Sequence, residues 1–367
     1  MMLVNEMFNQ KGSEISFRIG KPIPWESIAA MDLSKKAVAK LMRKQVYLLS
    51  QKKKKELFKP IENIIHPVRT KLIRKELKAS QLIGKTQDGK HIYLFDYMPN
   101  SSVMREIGRL RELSFRQVQE GTGNALDIDS YDRYYRHLIL WDEDELEIIG
   151  SYRIGEAAKI LKKHGEAGLY THSLFKFNPS FIPYLEHSIE LGRSFIQPRY
   201  QGKRSLDYLW YGIGAYLYQH PEIRYLIGPI SLSTSWPEPA QKVIASFYTE
   251  LFGNNKILVD PRLPFDFEPI QEFAPFTQVA DEENYKQAYA ILKALMDDFG
   301  VKVPILYKQY VELCQPGGCE FLGFNIDPSF SNCVDALILV HINTIKEKKH
   351  QRYIESHAAV FQKRDSA

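Results

Sequence analysis

Charged and aromatic side chains capable of chemistry gather in the middle of the chain. Arg111 and Phe115 share one helical stretch, Asp127, Asp129 and Asp132 follow in a loop, and Arg153 stands in Gly150-Ser151-Tyr152-Arg153. Cations and carboxylates bunched at a loop and a strand end suit charge-assisted binding of an amino-acid head group. The same residues also fit a solvated acidic loop with local ion pairs.

A second grouping runs from Glu190 to Ser205: Glu-Leu-Gly-Arg-Ser-Phe-Ile-Gln-Pro-Arg-Tyr-Gln-Gly-Lys-Arg-Ser. It reads as a strand, a loop and a helix start. Arg199, Gly202, Lys203 and Arg204 then put cations and backbone N–H groups at a helix N-terminus, a ready anion site, with glycine allowing close approach. The alternative is a surface loop with solubilising charges. Alternation sets Glu190, Gly192 and Ser194 on one face of the strand and Leu191, Arg193 and Phe195 on the other. A carboxylate in an apolar strand needs a partner or a raised pKa. Glu190 is therefore expected either to take a proton from an attacking ammonium or to pair with Arg153 or Arg193.

Other chemistries find little support. There is no Gly-x-Ser-x-Gly elbow, and His172, His187 and His220 stand isolated. His91 and His137 lie in strand-like contexts and read as structural. Cys314, Cys319 and Cys333 fit no zinc spacing, so no metal is expected, and an odd count without a framework reads as reduced thiols.

The elements that must position these groups alternate. Strands are expected at His91–Tyr97, Tyr134–Trp141, Glu147–Gly155, Glu190–Gln197, Tyr225–Ser231, Phe321–Ile326 and Asp335–Asn343. Helices are expected at Ser34–Gln51, Val103–Gln119, Ser205–Gln219, Gln241–Phe252 and Glu283–Phe299. This pattern predicts an α+β, three-layer domain with a mostly antiparallel central sheet flanked by helices. Ile15, Phe17 and Ile19 alternate, predicting one further strand within Gly12–Trp25, and Lys52–Lys55 reads as a linker face or a basic patch for anionic lipid or a carrier protein. The expected organisation is residues 1–65 as a remnant and basic linker, 66–345 as the main domain, and 346–367 as a basic tail.

The chain is 44% hydrophobic and 25% charged with a net charge of +5, an ordinary globular balance too weakly basic to argue for nucleic acid. It suits acidic partners such as an acyl carrier protein or an anionic membrane surface. The longest charge-free, mostly apolar stretch, Leu209 to Tyr218, falls far short of the ~20 residues a membrane span needs. No signal peptide is read at the N-terminus, so the expectation is a cytoplasmic protein with, at most, peripheral contact at the inner membrane face.

The run Leu110–Phe115, Asp129-x-x-Asp132, Tyr152-Arg153 and Glu190-x-Gly192-Arg193 resembles the acyl-homoserine-lactone synthase branch of the GNAT superfamily, with Gly192 in place of that branch's serine. Glu190–Ser194, Pro198–Gln201, Leu209-Trp210, Gly228–Ser233, Pro304–Tyr310 and Asp327-x-x-Phe330 resemble the hemolysin-type GNAT family, which includes ornithine-lipid N-acyltransferases. Phe17–Ile23 resembles the last strands of a glycerol-phosphate-type acyltransferase, without the His-x4-Asp block such enzymes need.

These resemblances imply a GNAT-like fold. They also imply transfer of a long, in some cases 3-hydroxylated, fatty acyl chain from acyl carrier protein, or from acyl-CoA, to the α-amine of an amino acid such as ornithine. No tightly bound cofactor is implied. Glu190, Arg153 and Arg193 would be catalytic, and Arg111, Phe115, Asp129, Asp132, Ser194 and Ile196 would bind substrate. Arg199, Gly202, Lys203 and Arg204 would hold the phosphopantetheine phosphate, and a strand N–H near Phe195–Gln197 would steady the oxyanion. A lactone-type signal synthase and a non-catalytic carrier- or membrane-binding module are the rival expectations.

Overall fold

The alternating apolar runs are satisfied in one sheet, seen in a computed structural model that describes residues 12, 14, 16–29, 31, 33–50, 57–58, 61–276 and 282–357. The chain forms two units, Met1–Asn63 with Gly123–Ala125, and Ile64–Thr122 with Leu126–Ala367.

The first unit contains α1 (Trp25–Ala29) and α2 (Lys35–Leu48). The Ser34 hydroxyl caps α2 by accepting the Ala37 N–H at 3.3 Å. The strand predicted within Gly12–Trp25 does not form over its described part. Residues 16–24 are irregular, and Phe17 and Ile19 are 84% and 96% exposed. Alternation alone does not hold a strand, and among the described residues none of 16–24 enters a β-ladder. The Lys52–Lys55 run lies outside the described residues.

The second unit runs α3 (Thr70–Lys78), β1 (Gln81–Lys85), β2 (His91–Asp96), α4 (Ser102–Gln117), β3 (Arg136–Asp142), β4 (Glu147–Glu156), α5 (Ala157–His164), β5 (Phe175–Phe177), α6 (Ile182–Leu185) and β6 (Ser188–Ile196). It continues with α7 (Ser205–Gln219), β7 (Tyr225–Leu232), α8 (Glu238–Phe252), β8 (Val259–Pro261), α9 (Glu282–Asp298), α10 (Ile305–Leu313), β9 (Cys319–Asp327), β10 (Cys333–His341) and α11 (Glu347–Tyr353). Eight strands make one sheet in the order β1-β2-β3-β4-β6-β7-β10-β9, and β5 pairs with β8. Each neighbouring pair in the large sheet is antiparallel except β6–β7.

Side chains alternate between the two faces. Tyr93, Phe95, Ile139 and Trp141 pack against α3 and α4, while Ile92, Leu94, Leu138 and Leu140 pack with α7. At the other end of the sheet Leu337 and Leu339 face the α5–β5–α6 layer. Residues from 346 onward, expected as a tail, include α11, whose Tyr353 hydroxyl donates to Asp207 of α7 at 2.7 Å. The short elements α3, β1, α5, α10 and α11 were not anticipated, because a few residues carry too little periodicity. Among the described residues no helix is long and apolar enough to cross a membrane.

The parallel β6–β7 register ends at Glu190 opposite Ile227. Beyond it β6 turns away. Arg193 has φ of 47°, and the β4–β6 register shifts between Ser151 and Arg153, which is a bulge. The two strands splay apart, and residues of both line a cavity between them.

Candidate active site between the splayed strands

The first grouping closes into a buried charge network. Arg111 of α4 and Asp132 are fully buried and pair at 2.8 Å. Arg153 of β4 bonds both Asp129 oxygens at 2.7 Å and reaches Asp132 at 3.4 Å. Asp132 also accepts the Asp129 N–H at 2.9 Å, which fixes the loop. Burial works to raise the Asp132 carboxyl, but the Arg111 and Arg153 guanidiniums, with His137, outweigh it and hold it well below the usual range. Burial and the neighbouring Arg111 push His137 down to about 4, so it is neutral.

Glu190 is 1% exposed and anchors a second loop. It accepts the Tyr135 hydroxyl, the Tyr170 N–H at 3.2 Å and the Thr171 N–H at 2.7 Å. Burial raises its pKa against these bonds and the Arg153 charge. Both oxygens are engaged, and Glu190 is absent from the cavity wall. The role expected for it, taking the ammonium proton, is thus matched to a carboxylate that stands outside the cavity and holds residues 170–171.

Arg193 does reach the cavity. Its ion pairs are long, 3.4 Å to Asp127 and 3.7 Å to Asp129, and it donates to the Tyr170 hydroxyl at 3.4 Å. The guanidinium stacks on Tyr170 and Phe330, 4.9 and 4.7 Å from the ring centroids. Strict alternation would separate Arg193 from Ser194. The bulge instead brings both to the cavity wall.

The cavity has two adjoining lobes. The larger, about 580 Å³, is mostly apolar and takes in Phe115, Phe195, Ile196, Leu209, Trp236 and Ile305. The smaller, about 110 Å³, is lined by Tyr170, Arg193, Ser194, Ser231 and Phe330, with the carboxyls of Glu120 and Asp335. Thus Phe115, Ser194, Ile196 and Arg193 are brought to the cavity, whereas Arg111, Asp129, Asp132, Arg153 and Glu190 form the frame behind it.

At the mouth of the large lobe stand Gly202 and Lys203, just ahead of α7. Gly202 has φ of 72°, which favours glycine. Arg199 is drawn aside to Glu145 and Glu147, at 3.3 and 3.1 Å, and Arg204 faces a neighbouring surface dish with Asp88 and Asp142. The four residues of the expected anion site therefore split between two surfaces. The Gln197 N–H donates to the Ile149 carbonyl at 2.8 Å, so it is not available to an oxyanion. All three cysteines are buried and free, and burial pushes the Cys314 thiol up to about 11.

The sequence pattern does not single out Glu120 or Asp335 as site residues. Burial, with Asp335 nearby, raises Glu120 to about 8. Burial, with Asp327 nearby, raises Asp335 to about 7. A signal existed for Asp335. It sits inside the apolar strand Cys333–His341, where a carboxylate needs a reason, as at Glu190. Glu120 sits in a polar loop and offered none.

Residues 110–211 match the family model described as an acetyltransferase (GNAT) domain. A glycine N(alpha)-acyltransferase of Phocaeicola vulgatus is 32% identical over 310 residues, covering 81% of this chain and 94% of that protein. An L-ornithine N(alpha)-acyltransferase of Rhodobacter capsulatus is 26% identical, covering 68% of this chain and 90% of that protein. Among solved structures, a CoA-dependent acyl-homoserine lactone synthase is 11% identical over 71% of this chain and 93% of its own, with a TM-score of 0.32.

Proposed function

The chain belongs to the GNAT-type amino-acid N-acyltransferases, and from that premise we propose that it moves a long fatty acyl group from a thioester to the α-amine of a small amino acid, glycine in preference to ornithine. The observation that carries this reading is the two-lobed cavity between β6 and β7. Its apolar lobe suits an acyl chain, each buried CH₂ contributing about 0.8 kcal/mol. Its small lobe suits an amino acid that presents a carboxylate to Arg193 and Tyr170.

The size of that lobe favours glycine. At about 110 Å³ against about 580 Å³ for the apolar lobe, it suits a compact acceptor better than one that carries ornithine's ammonium-bearing arm. The names carried by the relatives allow either acceptor. The donor's phosphopantetheine phosphate is proposed to lie at Gly202 and Lys203, ahead of α7, a chemistry that acyl carrier protein and acyl-CoA share. An anionic carrier protein also fits the net charge of +5.

The proposed reaction is direct. Arg193 orients the amino acid's carboxylate, its amine attacks the thioester carbonyl carbon, and the thiolate leaves. Holding both reactants in one cavity supplies much of the rate. The test is mass spectrometry of the products made by the purified chain with acyl carrier protein or CoA thioesters and with glycine or ornithine. N-acylglycine is expected. Faster acylation of ornithine would overturn the acceptor reading, and no amide from either would overturn the reaction itself. Arg193→Gln is expected to raise KM for the amino acid about 10- to 100-fold and to leave KM for the donor nearly unchanged.

A further inference from the structure

We propose that Asp335, held by Ser231 on the neighbouring strand, is the group that takes the proton from the acceptor's ammonium. The inference rests on the acyl-transfer reading above. Asp335 stands in β10 directly opposite Ser231 of β7, on the far side of the splay from Arg193. The Ser231 hydroxyl donates to Oδ1 at 2.6 Å, and the Cys333 thiol lies 3.6 Å from the same oxygen. Among the described residues no donor reaches Oδ2. That contrasts with Glu190, whose two oxygens are both taken.

Arg193 and Asp335 thus line one small lobe, a cation for the acceptor's carboxylate and an anion for its ammonium. The groups facing Asp335 are Asp327 of β9, Arg193 of β6, Glu120 after α4, Tyr170, Tyr307 of α10 and Cys333 of its own strand. Burial and Asp327 bring its carboxyl to about 7, where a base can both accept and release a proton near neutrality. One ammonium proton passes to Asp335. The freed amine forms the C–N bond as the C–S bond breaks, and the second N–H proton leaves with the thiolate as thiol. Asp335 then returns its proton to solvent.

The test is the pH dependence of kcat/KM for glycine, followed by amide product. The unaltered chain is expected to show a rising limb near pH 7. Asp335→Asn is expected to lose about 10²–10³-fold at pH 7 and to recover as pH rises and the amino acid loses its own proton. Ser231→Ala, which keeps the carboxylate but removes a bond to its charged form, is expected to move the limb to higher pH. An Asp335→Asn variant with undiminished rate overturns the proposal. So does a loss that stays constant with pH, an unmoved limb in Ser231→Ala, or a limb abolished by Glu120→Gln and kept in Asp335→Asn. If the unaltered chain acylates neither amino acid, the reaction reading fails and this inference falls with it. If it acylates glycine and only these variants disobey, the reaction stands and the proton acceptor is another group.

Discussion

Arg111 and Asp132 are each fully buried, and neither pays for its desolvation alone. Removing one partner strands the other. Asp132→Asn is expected to destabilise the fold by about 3–5 kcal/mol at pH 7, read by chemical denaturation. The folded pKa of Asp132 is depressed, so its contribution is present above the unfolded carboxylate value, about 3.9, and is lost as pH falls. The gap between variant and parent should therefore narrow in acid. Asp335 has the opposite sign. Burial raises its folded pKa to about 7, so the folded state holds a proton that the unfolded chain has released between about 3.9 and 7. Stability falls as pH rises through that window. Asp335→Asn is expected to melt a few degrees above the parent at pH 8 and level with it near pH 4, measured by thermal unfolding. A variant that is more stable and less active is what a site carboxylate should give.

The element that decides the site is β6. Its first residues pair with β7, and a Cβ at Gly228 would be driven into the Leu191 carbonyl oxygen. Only glycine permits that approach. Gly228→Ala is expected to cost about 1–3 kcal/mol and to lower turnover with both substrates, because the strands must separate earlier. Its second half bulges at Arg193 and opens the cavity. The helix–strand–loop–helix order around this strand was legible from periodicity, and the bunching of Arg111, Asp129, Asp132 and Arg153 from their spacing, but not whether they pair in the interior or stand in solvent. Nor was the bulge legible. Nothing in Gly192-Arg193-Ser194 announces that arginine takes the left-handed region, since that conformation is imposed by pairing with β4.

For the molecule as a whole, selectivity follows from how much space the splay leaves once the helices have packed. Phe330 meets Phe115 edge to face at 5.0 Å and, with Leu306, walls the small lobe. Phe330→Ala is expected to raise the ornithine-to-glycine ratio of kcat/KM about tenfold or more, measured by competition in one reaction, since the cavity gains room for a longer arm. The network that holds Arg193, by contrast, lies behind the wall, and its loss should show first as instability.

The sequence by itself determined the alternating α+β architecture. It also gathered Arg111, Asp127, Asp129, Asp132 and Arg153 around one loop and strand end. Those follow from local rules of periodicity and spacing, which act over a few residues. Which of those charges reach the cavity was decided only by the tertiary structure. Glu190 was turned to a loop it must hold, and Arg193 was swung forward by a bulge. Asp335 and Glu120, from opposite ends of the domain, were brought to one lobe. Pairing between distant strands sets those directions, and no local pattern encodes them.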